Sequence, residues 1–170
     1  DFIIRHGLYL EAQMEDLFAK LGKRKPILSA GEAVPNQYLL PYDDASTQYD
    51  PHVWMDPTLW IHVADAIAAE LSSKLPNNSA EIAENHARFV ETLIRLTDYG
   101  HEILASVPMQ ARVLLTAHDA FRYFGSAYDF DVMGVKGIST TSEAGLYRIE
   151  ELVDLIIERQ IKAVFVESSQ

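Results

Sequence analysis

Residues 79–107 read SAEIAENHARFVETLIRLTDYGHEILASV, and this stretch decides the fold. Ser79 follows a Pro-Asn-Asn break as a helix cap, and the next proline is Pro108. Apolar residues recur between them at spacings of three and four: Ile82, Phe89, Leu93, Leu96, Ile103 and Val107. The pattern predicts one helix of about 28 residues and about 40 Å. Because that length exceeds what one small lobe can cover, we expect the helix to bridge two lobes.

The sequence on either side of this helix alternates between strand and helix patterns. Short apolar runs typical of buried strands lie at residues 2–4, 26–29, 112–116, 132–135 and 163–166. Helical spacing lies between them, at residues 8–21, from Asp56-Pro57 onward, at 119–128 and at 143–159. This order predicts an α/β protein with two parallel-sheet lobes. We assign residues 1–78 to the first lobe, 79–107 to the linking helix and 108–170 to the second lobe.

The composition is that of a folded, acidic protein. The chain has 170 residues, 48% of them apolar, with 14 basic and 25 acidic residues and a net charge of −11. This charge disfavours nucleic acids and anionic membranes as partners, because both repel it, and makes cations the more natural ligands. The sequence contains no cysteine, which excludes disulfides, thiolate metal sites and cysteine nucleophiles. It also has no run of about 18 apolar residues, so we expect no membrane-spanning segment.

The two ends of the sequence suggest an internal part of a longer protein. The start, Asp1-Phe2-Ile3-Ile4-Arg5, has no initiator methionine and lacks the basic-then-apolar layout of a signal peptide. The last residues, 164–170, are typical of a strand that runs into a loop. We therefore expect the fold to be incomplete at both ends.

The segment from Asp50 to Pro57, DPHVWMDP, is the first candidate site. Neutral imidazole is the commonest metal ligand, and its second nitrogen usually binds a nearby acceptor such as a carboxylate. His52 lies two residues after Asp50 and four before Asp56, so the segment supplies both parts. A loop leading into a helix, with an incidental exposed histidine, is the alternative that the spacing leaves open.

The second candidate is His118, which follows an apolar strand pattern and precedes a helical one. Ligands of open α/β sheets bind at the carboxyl ends of the strands, which favours a ligand role, although capping or packing remains open. A metal held by both His52 and His118 would lie between the lobes. His6 and Glu167 also end strand patterns: His6 is a further candidate ligand, and Glu167 a candidate hydrogen-bond acceptor.

Sequence patterns of common enzymes are missing. The chain contains no phosphate-binding glycine loop, no Gly-x-Ser-x-Gly elbow and no His-Glu-x-x-His pair. The sequence therefore gives no support to phosphoryl transfer, serine hydrolysis or zinc-protease chemistry.

Four segments in the same order resemble one family, the metal-binding solute-binding proteins of bacterial manganese, zinc and iron ABC transporters (cluster A-I). They are residues 50–56, 116–124, 134–143 and 164–169, so the resemblance covers essentially the whole chain. The opening GLYLE at 7–11 resembles the family's Asn-Gly-Leu-x-Leu-Glu, with His6 in place of the asparagine. The resemblance implies the metal-type periplasmic binding protein fold, with two α/β lobes joined by one rigid helix from about Ser79 to Val107.

The resemblance also implies a site for one divalent cation. Family members use four ligands: a histidine upstream of this chain, the histidine at the position of His52, a His or Glu at the position of His118, and an aspartate downstream. It therefore assigns His52 and His118 as metal ligands. Asp50, Asp56 and Glu167 are candidates to hydrogen-bond the ligands, and His6 is a position to test.

The identity of the ion stays open among Zn²⁺, Mn²⁺ and Fe²⁺. A histidine rather than a glutamate at position 118 makes the site richer in nitrogen, which favours zinc. Many zinc-uptake members carry a His-rich loop before the Asp-Pro-His motif, yet residues 38–49 contain no histidine. That difference weakens a zinc-dedicated assignment.

The function implied by the resemblance is binding rather than catalysis. Members capture a metal ion outside the cytoplasm, as periplasmic or lipid-anchored proteins, and deliver it to the permease of an ABC transporter. Two other classes remain open. One is a surface adhesin on the same fold, and the other, less favoured, is a metal-dependent hydrolase in which His52, Asp56 and His118 hold a metal ion that activates water.

Overall fold

A computed structural model describes residues 1–43, 47–138 and 145–166. The predicted α/β class is confirmed. The strands within these ranges are β1 (Ile3–Arg5), β2 (Ile27–Ser29), β3 (Val113–His118) and β4 (Asp131–Lys136). The α-helices there are α1 (Glu15–Leu21), α2 (Pro57–Lys74), α3 (Ser79–Leu104), α4 (Arg122–Tyr128) and α5 (Leu146–Glu158). The chain divides into two compact units, residues 1–99 and 100–170, and the division falls within α3.

The first unit contains a parallel pair of strands, as predicted. β1 pairs with β2 in the register Ile3 to Ile27, and a short 3-10 turn (Ala30–Ala33) follows β2 and packs against α2. The apolar side of α2 is buried, including Leu59 and Val63, which are 7% and 1% exposed. This packing fixes the start of α2 close to the end of β1.

The start of α1 differs from the prediction. Apolar spacing predicts a helix from Leu8, but α1 begins at Glu15, after a 3-10 turn at Ala12–Met14. Gly7, Leu8 and Tyr9 have φ angles of 82°, 52° and 62°, in the left-handed region that a right-handed helix excludes. The Glu11 carboxylate accepts hydrogen bonds from the backbone N–H groups of His6 (2.7 Å) and Gly7 (3.0 Å) and holds this turn.

The second unit contains the other parallel pair, β3 and β4, in the register Leu115 to Met133 and His118 to Lys136. Leu115 and Tyr123 form its core and are each 1% exposed. The strand predicted at 163–166 forms one parallel bridge in the described residues, in which Phe165 pairs with Thr116. The predicted order of strands and helices is thus confirmed in this unit.

The helices α3 and α4 are also shorter than predicted. α3 ends at Leu104 rather than near Val107, and the next residues form tighter turns before Pro108. α4 begins at Arg122 rather than Asp119 because backbone bonds hold 118–120 in a turn: Ala120 N–H donates to His118 O (3.0 Å) and Asp119 N–H to Gly137 O (3.3 Å). Among the described residues, none of the helices has both the length and the apolar character needed to cross a membrane.

Candidate metal centre

His52 is buried in a short loop before α2, and its imidazole is tightly held. Its side chain is 8% exposed, and its Nδ1 lies 2.7 Å from Oδ1 of Asp50, which is fully buried. The same carboxylate oxygen accepts the backbone N–H of His52 at 3.0 Å. Because a carboxylate accepts, Nδ1 carries the proton, and Nε2 of the neutral ring is the atom with a lone pair for a metal.

Asp50 is itself anchored by the backbone. Its N–H donates to the carbonyl of Leu40 at 2.9 Å, and the nearby chain is closed by an antiparallel bridge between Pro41 and Tyr49. The backbone position of Asp50, whose carboxylate orients His52, is therefore fixed. The spacing in the sequence suggests such a pair, since Asp50 lies two residues before His52.

Asp56 serves as the cap of α2. Its Oδ1 accepts hydrogen bonds from the backbone N–H of Thr58 at 2.8 Å and the hydroxyl of Thr58 at 2.7 Å, and Pro57 occupies the first helical position. This is the arrangement that the sequence predicts for the start of the helix. These hydrogen bonds of Asp56 thus stabilise the segment that follows His52.

His6 lies beside the His52 loop. Its Nε2 is 2.7 Å from the carbonyl oxygen of Pro51, and since a carbonyl accepts, Nε2 carries the proton. Burial lowers the pKa of His6 below its ordinary value. The bond to Pro51 and the Glu11 carboxylate act in the opposite direction, and nearby His52 lowers the pKa further. The net effect is a lowered pKa of His6.

Two tryptophans that sequence reasoning did not single out complete the surroundings of these histidines. The ring of Trp54 lies 5.2 Å from both the His6 and the His52 rings, and Trp60 stacks on His6 at 5.9 Å with an angle of 16°. Both belong to the segment around the start of α2. Large aromatic residues two and eight positions after a candidate ligand are the signal that would have identified them.

His118 is the last residue of β3 and is partly buried. Its carbonyl accepts the hydroxyl of Thr116 at 2.8 Å and the N–H of Ala120 at 3.0 Å, which turns the chain sharply after the strand. The sequence predicts His118 just beyond the strand, and the structure places it at the strand's carboxyl end, paired with Lys136 of β4.

The turn after His118 packs directly on a glycine of β4. A Cβ atom at Gly134 would lie 2.5 Å from the backbone nitrogen of Asp119 and 2.6 Å from the carbonyl oxygen of Lys136. Real Cβ atoms do not approach backbone that closely, so only glycine fits at this position. The lack of a side chain at Gly134 therefore allows the turn after His118 to pack directly against β4.

The candidate residues fall in separate parts of the described structure. His6, Asp50, His52 and Asp56 belong to the first unit, His118 to the second, and Glu167 lies outside the described residues. Within the described ranges, no three His, Cys, Asp or Glu side chains form a ready-made cluster for a metal.

Comparison with known proteins identifies relatives along the whole chain. Residues 1–170 match the family described as ZnuA, Zinc-uptake complex component A periplasmic. Manganese-binding lipoprotein MntA of Bacillus subtilis (strain 168) is 44% identical over 169 residues, which are 99% of this chain and 55% of MntA. Zinc-binding protein TroA of Treponema pallidum (strain Nichols) is 37% identical over 169 residues, 99% of this chain and 54% of TroA. The chain thus spans about half the length of these curated relatives.

Solved structures agree with the family match. The periplasmic zinc binding protein TroA from Treponema pallidum superposes with a TM-score of 0.95 at 36% identity, over 100% of this chain and 61% of the TroA chain. A mutant structure of the laminin-binding adhesin Lmb from Streptococcus agalactiae gives a TM-score of 0.87 at 26% identity, over 99% of this chain and 63% of that one.

These matches define the class of fold, the TroA-type periplasmic binding protein. The chain belongs to the ZnuA family of metal-binding components of ABC transporters. Members of the family are substrate-binding transport proteins rather than enzymes.

Proposed function

We propose that the protein captures a divalent transition-metal ion outside the cytoplasm and delivers it to the permease of an ABC transporter, with His52 and His118 as metal ligands. The observation that carries the proposal is the buried pair in which the Nδ1–H of His52 donates to Asp50 at 2.7 Å. A metal-binding histidine usually donates the N–H of its other ring nitrogen to a carboxylate or carbonyl. This hydrogen bond fixes the tautomer and raises the basicity of the nitrogen that binds the metal.

The proposed role of His118 rests on its position in the fold. Its position at the carboxyl end of a parallel strand is where α/β proteins bind ligands, and a sharp backbone turn and the close approach to Gly134 fix its backbone. The net charge of −11 favours cations as ligands of the protein as a whole.

The proposed cargo is Zn²⁺ or Mn²⁺, with Fe²⁺ as a further candidate. Among the relatives, MntA is named as manganese-binding and TroA as zinc-binding. Two imidazole ligands rather than one imidazole and one carboxylate favour zinc, since nitrogen donors suit it better than the harder manganese ion.

The location and partner follow from the same relationship. MntA is named a lipoprotein and the family is described as periplasmic, so we place the protein at the extracytoplasmic face of the membrane, free or lipid-anchored. Its partner in this proposal is a membrane permease that receives the ion.

An adhesin role is not favoured. Lmb is named a laminin-binding adhesin, but its identity to this chain is 26%, against 44% for MntA and 37% for TroA. A hydrolase role is set aside because the family consists of binding proteins.

The test is metal affinity, measured by competition with a chromogenic chelator in the protein at its full natural length. We expect His52→Ala and His118→Ala each to weaken Zn²⁺ and Mn²⁺ binding strongly. The matched control is His86→Ala, which removes a histidine from an exposed pair with Asp65 and should leave affinity unchanged. If the folded His52→Ala and His118→Ala variants bind metal with wild-type affinity, neither histidine is a metal ligand.

A further inference from the structure

We propose that His6 is a positioning residue that holds the metal-binding orientation of His52 through the carbonyl group of Pro51. The inference rests on the proposed metal site and names a residue on which its affinity depends. His6 lies 45 positions before Pro51 in the sequence, and its Nε2–H donates to the Pro51 oxygen at 2.7 Å.

The bond acts on the peptide unit from which His52 emerges. Its oxygen, on Pro51, accepts both His6 Nε2–H and the backbone N–H of Val53 at 2.8 Å. Its nitrogen, on His52, donates to Asp50 at 3.0 Å. The peptide plane is therefore held at both edges, and it fixes the position of the His52 Cα atom from which the imidazole side chain extends. Removal of the His6 donor leaves the Pro51 oxygen held only by the local bond from Val53, two residues away in the chain.

His6 can serve this purpose because its own position is fixed by backbone bonds. Its N–H donates to the Glu11 carboxylate at 2.7 Å, and its carbonyl accepts the N–H of Gly31 at 2.7 Å. A Cβ at Gly31 would lie 3.0 Å from the His6 ring, so the imidazole packs directly over this glycine. The turn that begins at Gly7 is closed by the same Glu11 carboxylate.

The His6 ring is held from its sides as well. It stacks on Trp60 and meets the edge of Trp54, whose ring also contacts His52 at 5.2 Å. His6 and His52 are thus linked twice, through the Pro51 peptide and through Trp54. Groups that orient a metal ligand affect affinity although they do not touch the ion.

Three roles of His6 predict different results for two substitutions. His6→Gln places an amide N–H where Nε2 lies and keeps the hydrogen bond, whereas His6→Phe keeps the aromatic packing and removes the donor. A positioning residue predicts that Gln preserves affinity and Phe does not. A packing role predicts that Phe preserves it, and a direct metal ligand predicts that both variants lose it.

The experiment measures Zn²⁺ affinity by chelator competition in the protein at its full natural length, with circular dichroism to show that each variant is folded. We expect His6→Phe to weaken binding about 10- to 100-fold, the usual effect of losing a group that orients a ligand, and His6→Gln to remain within about threefold of wild type. Near wild-type affinity for folded His6→Phe overturns the proposal, as does equal loss in both variants.

His52→Ala separates this test from that of the metal site. If His52→Ala binds zinc normally, the proposed site is wrong and His6 has no ligand to position. If His52→Ala loses binding while His6→Phe retains it, only the role of His6 is wrong. The matched control is His86→Phe, which alters a partly exposed histidine bonded to Asp65 at the same distance of 2.7 Å and should leave zinc affinity unchanged.

Discussion

Asp50 is the residue on which the orientation of His52 depends most directly. One oxygen of this fully buried carboxylate accepts both the ring Nδ1–H and the backbone N–H of His52. Asp50→Asn keeps the size of the side chain but removes its charge. We expect metal affinity to fall about 10- to 100-fold, because a neutral amide oxygen supports the ligand imidazole less strongly. Isothermal titration with Zn²⁺ measures the change.

Asp65→Asn is the matched control for this substitution. Asp65 also bonds a histidine, His86, at 2.7 Å, but that pair is exposed on α2 and α3. Its replacement should leave zinc affinity at the wild-type value. Equal affinities for Asp50→Asn, Asp65→Asn and wild type would show that the buried pair does not support a metal ligand.

Asp56 offers a contrast, since its hydrogen bonds to Thr58 cap α2. We expect Asp56→Ala to lower the free energy of unfolding by about 1 kcal/mol, the usual cost of losing a cap. Asp56→Ser, which can still cap, should recover most of it, as measured by urea denaturation. A large loss of metal affinity in a folded Asp56→Ser variant would instead give the carboxylate a direct part in the site.

His6 also predicts a pH dependence of stability. Burial lowers its pKa in the folded state below the ordinary value of 6.5, so the unfolded chain binds the proton more readily. The contribution of neutral His6 to the free energy of unfolding is therefore fully present above pH 6.5, and it is lost as pH falls from 6.5 toward and through the lowered pKa. We expect the free energy of unfolding of the metal-free protein to decrease over this range, and the decrease to be smaller in His6→Gln. If wild type and His6→Gln show the same dependence of unfolding free energy on pH, the pKa of His6 is not lowered by folding.

At the scale of elements, the contact between β4 and the turn after β3 fixes the position of His118. Gly134→Ala would place a methyl group 2.5 Å from the backbone nitrogen of Asp119. The clash can be relieved only if the whole turn after His118 shifts, because Asp119 is part of that turn. We expect a loss of about 1–3 kcal/mol in unfolding free energy, together with weaker metal binding. Denaturation and zinc titration of the same variant measure both effects.

Gly145→Ala provides the control for that substitution. A Cβ atom at Gly145, just before α5, would meet no atom of the described residues within 4 Å. Its stability and zinc affinity should therefore remain close to wild type. If Gly134→Ala behaves in the same way as Gly145→Ala, the packing on β4 does not set the His118 turn.

The sequence predicts elements well where the deciding interactions are local. Asp56-Pro57 predicts the start of α2 because a cap and a first-turn proline act within one turn of helix. The predicted start of α1 is wrong because Gly7, Leu8 and Tyr9 adopt left-handed angles, which apolar spacing does not encode. The pairing of β1 with β2 and of β3 with β4 follows from the alternation of strands and helices.

The same distinction applies to the candidate site. Asp50 and His52 are two residues apart, so their hydrogen bond is predictable from spacing. The bond from His6 to Pro51 spans 45 residues and depends on how β1 and α2 pack, so no local pattern reveals it. The ligand roles of His52 and His118 stay predictions that measurement must test.

At the scale of the whole molecule, the chain combines two compact units with a strongly acidic composition. The units comprise residues 1–99 and 100–170, and one candidate ligand belongs to each. The assignment of 79–107 as a separate linking element stays a prediction. The net charge of −11 draws cations toward the protein, while the imidazoles of His52 and His118 would select among them.

Crystallography of the zinc-loaded protein at its full natural length, with anomalous data collected at the zinc edge, tests the central claim most directly. We expect one strong anomalous peak about 2.1 Å from Nε2 of His52 and from an imidazole nitrogen of His118. The bond between His52 Nδ1 and Asp50 should remain intact in that structure. A fully occupied zinc ion that touches neither histidine would contradict the account.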